Sequence, residues 1–75
     1  MKHYFAENLS DILRIKMISQ KTIAQALEIT PSTVNQWVKG KREPSYELLI
    51  KLCLFLDIEP SELLGYQRIK KEALK

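Results

Sequence analysis

Apolar residues recur along this chain at intervals of three and four, the spacing that places side chains on one side of a helix. Leu9, Ile12 and Leu13, with Lys16 in the same register, predict a first helix from Phe5 or Ala6 to Lys16. Ile23, Ala24 and Leu27 form the apolar side of a second, from about Gln20 to Leu27, which Ser19 opens as an N-cap. Glu28 and Ile29 read as a tight turn. Thr30 caps a third helix, Pro31 to Lys39, with proline in the first helical position, where its missing N–H is not needed. Gly40 is its stop. Pro44 and Ser45 start a fourth helix, about Tyr46 to Leu56. Pro60 or Ser61 starts a short fifth, with Glu62 in its first turn, Leu64 near its end and Gly65 as its stop. With two glycines, no β-branched alternation, no repeat and no linker, the fold class is all-α.

The third helix departs from the usual surface pattern. Val34, Trp37 and Val38 fall on one side of it, and Ser32, Gln36 and Lys39 on the other, flanked by Thr33 and Asn35. An exposed helix face commonly carries Glu and Lys at i,i+4 spacing. This one carries hydroxyls and amides, which both donate and accept hydrogen bonds, and no carboxylate. That is the chemistry of reading base edges: Gln or Asn pairs with adenine, and Ser or Thr reaches several bases. The bland alternative is a merely polar surface helix.

Charge sharpens the picture. The 75 residues carry a net charge of +3, but residues 14–42 hold Arg14, Lys16, Lys21, Lys39, Lys41 and Arg42 against Glu28 alone. Residues 43–65 hold Glu43, Glu47, Asp57, Glu59 and Glu62 against Lys51. A basic middle and an acidic back suit a molecule that meets a polyanion with one face. Cys53 is the single cysteine and His3 the single histidine, which argues against a disulfide, a zinc cage or a nucleophilic catalytic constellation. Neither an enzyme nor a cofactor is expected. The chain opens without a secretory pattern and contains no apolar run of membrane-spanning length, so a cytoplasmic, bacterial or phage-encoded setting is the expectation. Trp37 and Cys53 read as core residues, and His3 is assigned no role.

The ordered set Ser19-Gln20, Ile23-Ala24, Leu27, Thr30, Thr33-Val34, Trp37, Gly40 and Pro44-Ser45 resembles the phage-repressor-like helix-turn-helix family, of Cro/cI or XRE type. Leu49, Leu52, Leu56, Ile58, Leu63 and Leu64 fit the core of the fourth and fifth helices and extend the resemblance, which spans Ile18 to Leu64. It implies a compact five-helix, lambda-repressor-like bundle whose third helix enters the major groove while the second lies across the backbone. It further implies that Ser32, Thr33, Asn35 and Gln36 face base edges, Asn35 alternatively touching phosphate. Gln20, Lys39, Lys41, Arg42 and Tyr46 would hold phosphates, Gln20 also being able to touch the outermost base.

Three positions depart from the family pattern. Glu28 and Met17 stand where small residues are frequent, and Glu28 costs on the order of 1 kcal/mol relative to glycine if its backbone is left-handed. Leu13 and Val38 replace a frequent Arg–Glu pair, and the two are expected to touch, since exchanging both partners for apolar groups strands no charge. The fourth helix carries more apolar side chains than one core face uses: Ile50 and Leu54 on its outer side, Leu48 and Phe55 on a flank. Such surplus points to a partner. Residues 1–65 are expected to form the DNA-binding domain. Residues 66–75, with Tyr66, Ile69 and Ala73 at helical spacing, form a basic tail that folds over that surface, pairs with a second subunit or stays disordered. The reading is a homodimeric regulator of double-stranded DNA, most simply a repressor, with Leu63, Leu64, Tyr66 and Ile69 as dimer contacts. The alternative is a protein-binding module of the same fold, such as an antitoxin-like partner.

Overall fold

A computed structural model describes residues 4–74 of the chain, among which every regular element is a helix. The six are α1 (Phe5–Lys16), α2 (Gln20–Leu27), α3 (Pro31–Val38), α4 (Tyr46–Leu56), α5 (Pro60–Leu64) and α6 (Tyr66–Ala73). His3 lies outside the described residues. The first five helices fall where the apolar spacing places them, except that α3 stops one residue early, Lys39 serving as its C-cap.

Caps set these boundaries. The hydroxyls of Ser19, Thr30 and Ser45 each accept a hydrogen bond from the backbone N–H three residues on, at 3.1, 3.2 and 3.2 Å. At the α5 N-terminus, the Glu62 carboxylate accepts from the Glu59 N–H at 3.0 Å, half of a capping box. The C-termini share a second device. Met17, Glu28 and Asp57 are left-handed, with φ of 57°, 58° and 55°. The amide that follows each one returns to a carbonyl five residues back: Ile18 to Leu13, Ile29 to Ala24 and Ile58 to Cys53, at 2.9, 2.9 and 3.0 Å. These are Schellman closures, and each puts an isoleucine on the core just past the helix end.

One core joins the first five helices. Phe5, Leu9 and Leu13 of α1 meet Ile23 and Ala24 of α2, Val34 and Trp37 of α3, Leu52, Cys53 and Leu56 of α4, and Leu63 of α5. Trp37 is 1% exposed. It therefore supports α3 from beneath and offers no face to a base. Burying seven side chains to below 2% exposure holds α3 rigidly against α1 and α2. Val38 packs against this core, and Leu13 and Val38 line one cleft with Ile18 and Gln20.

The tail is the main difference from expectation. It forms α6 directly after Gly65 and docks on the N-terminal end of α1, not over α4. The Tyr4 hydroxyl donates to the Glu72 carboxylate, the Arg68 guanidinium lies 3.7 Å from the Tyr4 ring centre, and Arg68 pairs with Glu7 at 3.6 Å. The α4 residues Ile50, Leu54 and Phe55 stay 53%, 76% and 41% exposed. Leu63, expected among the dimer contacts, has no exposed surface and belongs to the core. The helical spacing that marked Leu63 as apolar does not say whether its side points inward to α1 or outward to a partner.

Candidate nucleic-acid interface

Helices α2 and α3 pack against one another across the turn at Glu28, which fixes the angle between them. Glu28 N–H returns to Gln25 at 3.3 Å while Ile29 closes on Ala24, so the reversal takes two residues before Thr30 caps α3. With Val34 and Trp37 buried and Val38 packed against the core, the side of α3 that bears Ser32, Gln36 and Lys39 faces outward. Ser32 and Lys39 are exposed; Thr33, Asn35 and Gln36 are half-buried.

The hydrogen bonds of these side chains separate them. Thr33 Oγ1 lies 2.9 Å from Thr30 Oγ1, and its own backbone N–H is capped by the same oxygen. Thr33 thus shares its hydroxyl with the helix cap. Asn35 Nδ2 donates to Gln20 Oε1 at 3.2 Å, linking the middle of α3 to the first residue of α2. Ser32 and Gln36 remain as the residues on the outward side.

The cations after α3 are placed by its ending. Gly40 adopts φ +74°, its N–H returns to Trp37 at 3.1 Å, and the Lys41 and Arg42 amides both reach the Gln36 carbonyl, at 2.9 and 3.3 Å. This closure folds Lys41 and Arg42 back toward the last turn of α3, beside Gln36. Glycine is favoured at residue 40 on backbone grounds, since φ +74° strains an L side chain, whereas a Cβ there would make only an ordinary 3.4 Å contact with Ala6 Cβ. Among the described residues the ion pairs lie elsewhere, at Arg14–Asp11, Lys51–Glu47 and Arg68–Glu7, and none engages Lys39, Lys41 or Arg42. Tyr46, in the first turn of α4, is 89% exposed.

The sequence places these residues on the right elements but does not show which pair with one another. Gln20 and Asn35 are 15 positions apart, on different helices, and nothing in the local pattern of either signals the bond. The contact of Tyr4 and Glu7 with α6 was equally silent, because it joins the two ends of the chain.

Three comparisons bear on this geometry. The helix-turn-helix family model matches residues 9–63. The HTH-type transcriptional regulator YqaE of Bacillus subtilis is 35% identical over 60 residues, which are 80% of this chain and 52% of that protein. The chain therefore spans about half the length of that curated relative. A transcriptional regulator from Listeria innocua superposes with a TM-score of 0.82 at 30% identity, over 99% of this chain and 76% of that one. The restriction-modification controller protein C.AhdI from Aeromonas hydrophila superposes with a TM-score of 0.73 at 36% identity, over 79% of this chain and 89% of that one. The α2–turn–α3 unit, its caps and the match across 9–63 lead to one assignment: the chain belongs to the helix-turn-helix family, of XRE type.

Proposed function

We propose that this protein is a sequence-specific, double-stranded DNA-binding transcriptional regulator that reads an inverted repeat as a homodimer, most simply as a repressor occluding a promoter. The observation that carries the reading is the composition of the outward side of α3. Ser32 and Gln36 offer donors and acceptors on a helix held rigidly from beneath, and Lys39, Lys41 and Arg42 gather at its end. Base-edge groups supply discrimination, and the adjacent cations supply most of the salt-dependent affinity. Gln20, at the positively polarised start of α2, and Tyr46, at the start of α4, are proposed phosphate contacts. The kinship with proteins named as transcriptional regulators and as a restriction-modification controller supports the same reading.

A second copy is proposed because one short recognition helix spans too few base pairs for useful specificity, whereas two read a palindrome with half-sites about one DNA turn apart. The exposed α4 residues Ile50, Leu54 and Phe55, together with half-exposed Tyr66, are the proposed contact residues; Leu64 and Ile69 are half-buried. The same apolar residues favour one competing reading, a module that binds a different protein.

Selection of bound sequences from a random duplex pool tests the function. Wild type should enrich an inverted repeat, and Gln36→Ala should relax preference at one base pair per half-site, at a cost of about 1–3 kcal/mol for a bidentate contact. Salt-sensitive binding to every duplex without enrichment would instead favour the protein-binding module.

A further inference from the structure

The Gln20–Asn35 bond assigns different work to two side chains that composition alone treats alike. We propose that Asn35 is a positioning residue, which holds the Gln20 amide at the start of α2 with its N–H end directed to the DNA backbone. The proposal rests on the DNA-binding function above and goes beyond it in saying how one of its contacts is built.

A primary amide has two ends, a carbonyl that accepts and an NH2 that donates. A phosphate oxygen only accepts. A glutamine at a helix N-terminus therefore serves a phosphate only with its NH2 end outward, and a freely rotating side chain presents either end. Asn35 Nδ2, donating to Gln20 Oε1 at 3.2 Å, removes that freedom. The Gln20 carbonyl is taken up against α3, and Nε2 is the end left to face outward. The position suits this role. Gln20 is the first residue of α2, directly after its Ser19 cap, and it lines a cleft with Ser19, Arg14 and Ser10. A phosphate there meets the start of a helix and the oriented amide together, with the Arg14 guanidinium nearby but already paired to Asp11 at 3.0 Å.

The same bond limits Asn35 as a base reader. Bidentate recognition of adenine needs the asparagine amide plane to align with the base. Here that plane is held by a partner on α2, on the flank of α3 that borders Ser32 and meets α2. Sequence reading then falls to Ser32 and Gln36, and Asn35 couples the two helices of the unit. One consequence is mechanical: a shift of α3 relative to α2 would break the bond and release the Gln20 amide.

A double-mutant cycle tests the assignment, using Gln20→Ala, Asn35→Ala and the double variant with the duplex that wild type enriches. Alanine favours helix, so circular dichroism should show wild-type helix content, and melting should fall by no more than loss of one half-buried hydrogen bond allows. Gln20→Ala should weaken binding about tenfold, as loss of a hydrogen bond to a charged group does. Asn35→Ala should weaken it about three- to tenfold by restoring rotamer freedom to Gln20, but less than about twofold when Gln20 is already alanine. Base preference at every position should be unchanged in Asn35→Ala. Multiplying losses, with preference relaxed at one base pair, would make Asn35 a base reader and overturn the proposal. No loss in either background would overturn it too. Absence of any selective binding by wild type would overturn the DNA-binding function itself, and is distinguished by appearing before any substitution is made.

Discussion

Met17, Glu28 and Asp57 each hold a side chain in the left-handed backbone region, which costs an L-residue roughly 1–2 kcal/mol. The Schellman hydrogen bonds and the isoleucine that follows each of them offset that cost, so the helices still end sharply. Replacing Glu28 by glycine should relieve the strain at the centre of the helix-turn-helix unit. Glycine's greater freedom in the unfolded chain takes back part of the gain, leaving about 0.5–1 kcal/mol and a Tm higher by several degrees in a domain of this size. Gly65 behaves oppositely. It combines φ +77° with a Cβ position 3.1 Å from Asn8 Nδ2 and from Tyr4 Cβ. Gly65→Ala should therefore lower stability by about 1–3 kcal/mol, measured by thermal unfolding. The strain at Glu28 was foreseeable from its place in the family pattern. The crowding at Gly65 was not, because its neighbours come from the other end of the chain.

At the scale of elements, α6 is docked through contacts that are mostly polar. Asn8 Nδ2 donates to the Leu63 and Glu62 carbonyls, at 3.1 and 3.3 Å, tying α1 to the end of α5 just before α6 begins. Tyr4, Glu7, Arg68 and Glu72 then hold the helix itself. The hydrogen bond to Glu72 raises the Tyr4 phenol above its ordinary value, and burial and the negative charge of Glu72 act in the same direction. Below the ordinary tyrosine value the phenol is neutral whether folded or not, and its contribution to docking is whole. As pH rises through that value, the unfolded chain releases the proton first, so stability is lost. The Tm of wild type should consequently fall more steeply above about pH 10 than that of Tyr4→Phe, which has no phenol to ionise. Cys53, raised by burial and then by Glu59 and Glu62, adds an alkaline loss of the same sign to both proteins. Its buried thiol should resist alkylation until the protein unfolds.

The whole molecule separates its surfaces by charge. The exposed cations of residues 39–42 follow the outward side of α3, whereas Asp57, Glu59 and Glu62 lie around the cleft beside Ile50 and Leu54. On the proposed function, polyanionic DNA would be drawn to the first surface and kept from the second. Log affinity should fall linearly with log salt, and Lys39→Ala or Lys41→Ala should each reduce the slope by about 0.9 per half-site if the side chain holds a phosphate. Leu54 tests the second surface. At 76% exposed it adds little to the fold of one chain, so Leu54→Glu should keep the helix content of wild type. On the proposed homodimer, sedimentation should show a dimer for wild type and a monomer for the variant, with cooperative binding to the inverted repeat lost.

Local chemistry wrote the elements and the character of α3 into the sequence. Capping hydroxyls, prolines at first positions and apolar spacing act over three or four residues, and helix boundaries are decided at that range. The hydroxyl-and-amide side of α3 was legible for the same reason. Tertiary structure decided what joins distant positions: that Leu63 faces inward, that α6 rests on α1 and leaves α4 uncovered, and that Asn35 is tied to Gln20. Helical spacing says which residues share a side. Only packing decides which neighbour that side meets, because several arrangements of the same amphipathic helices bury comparable apolar area.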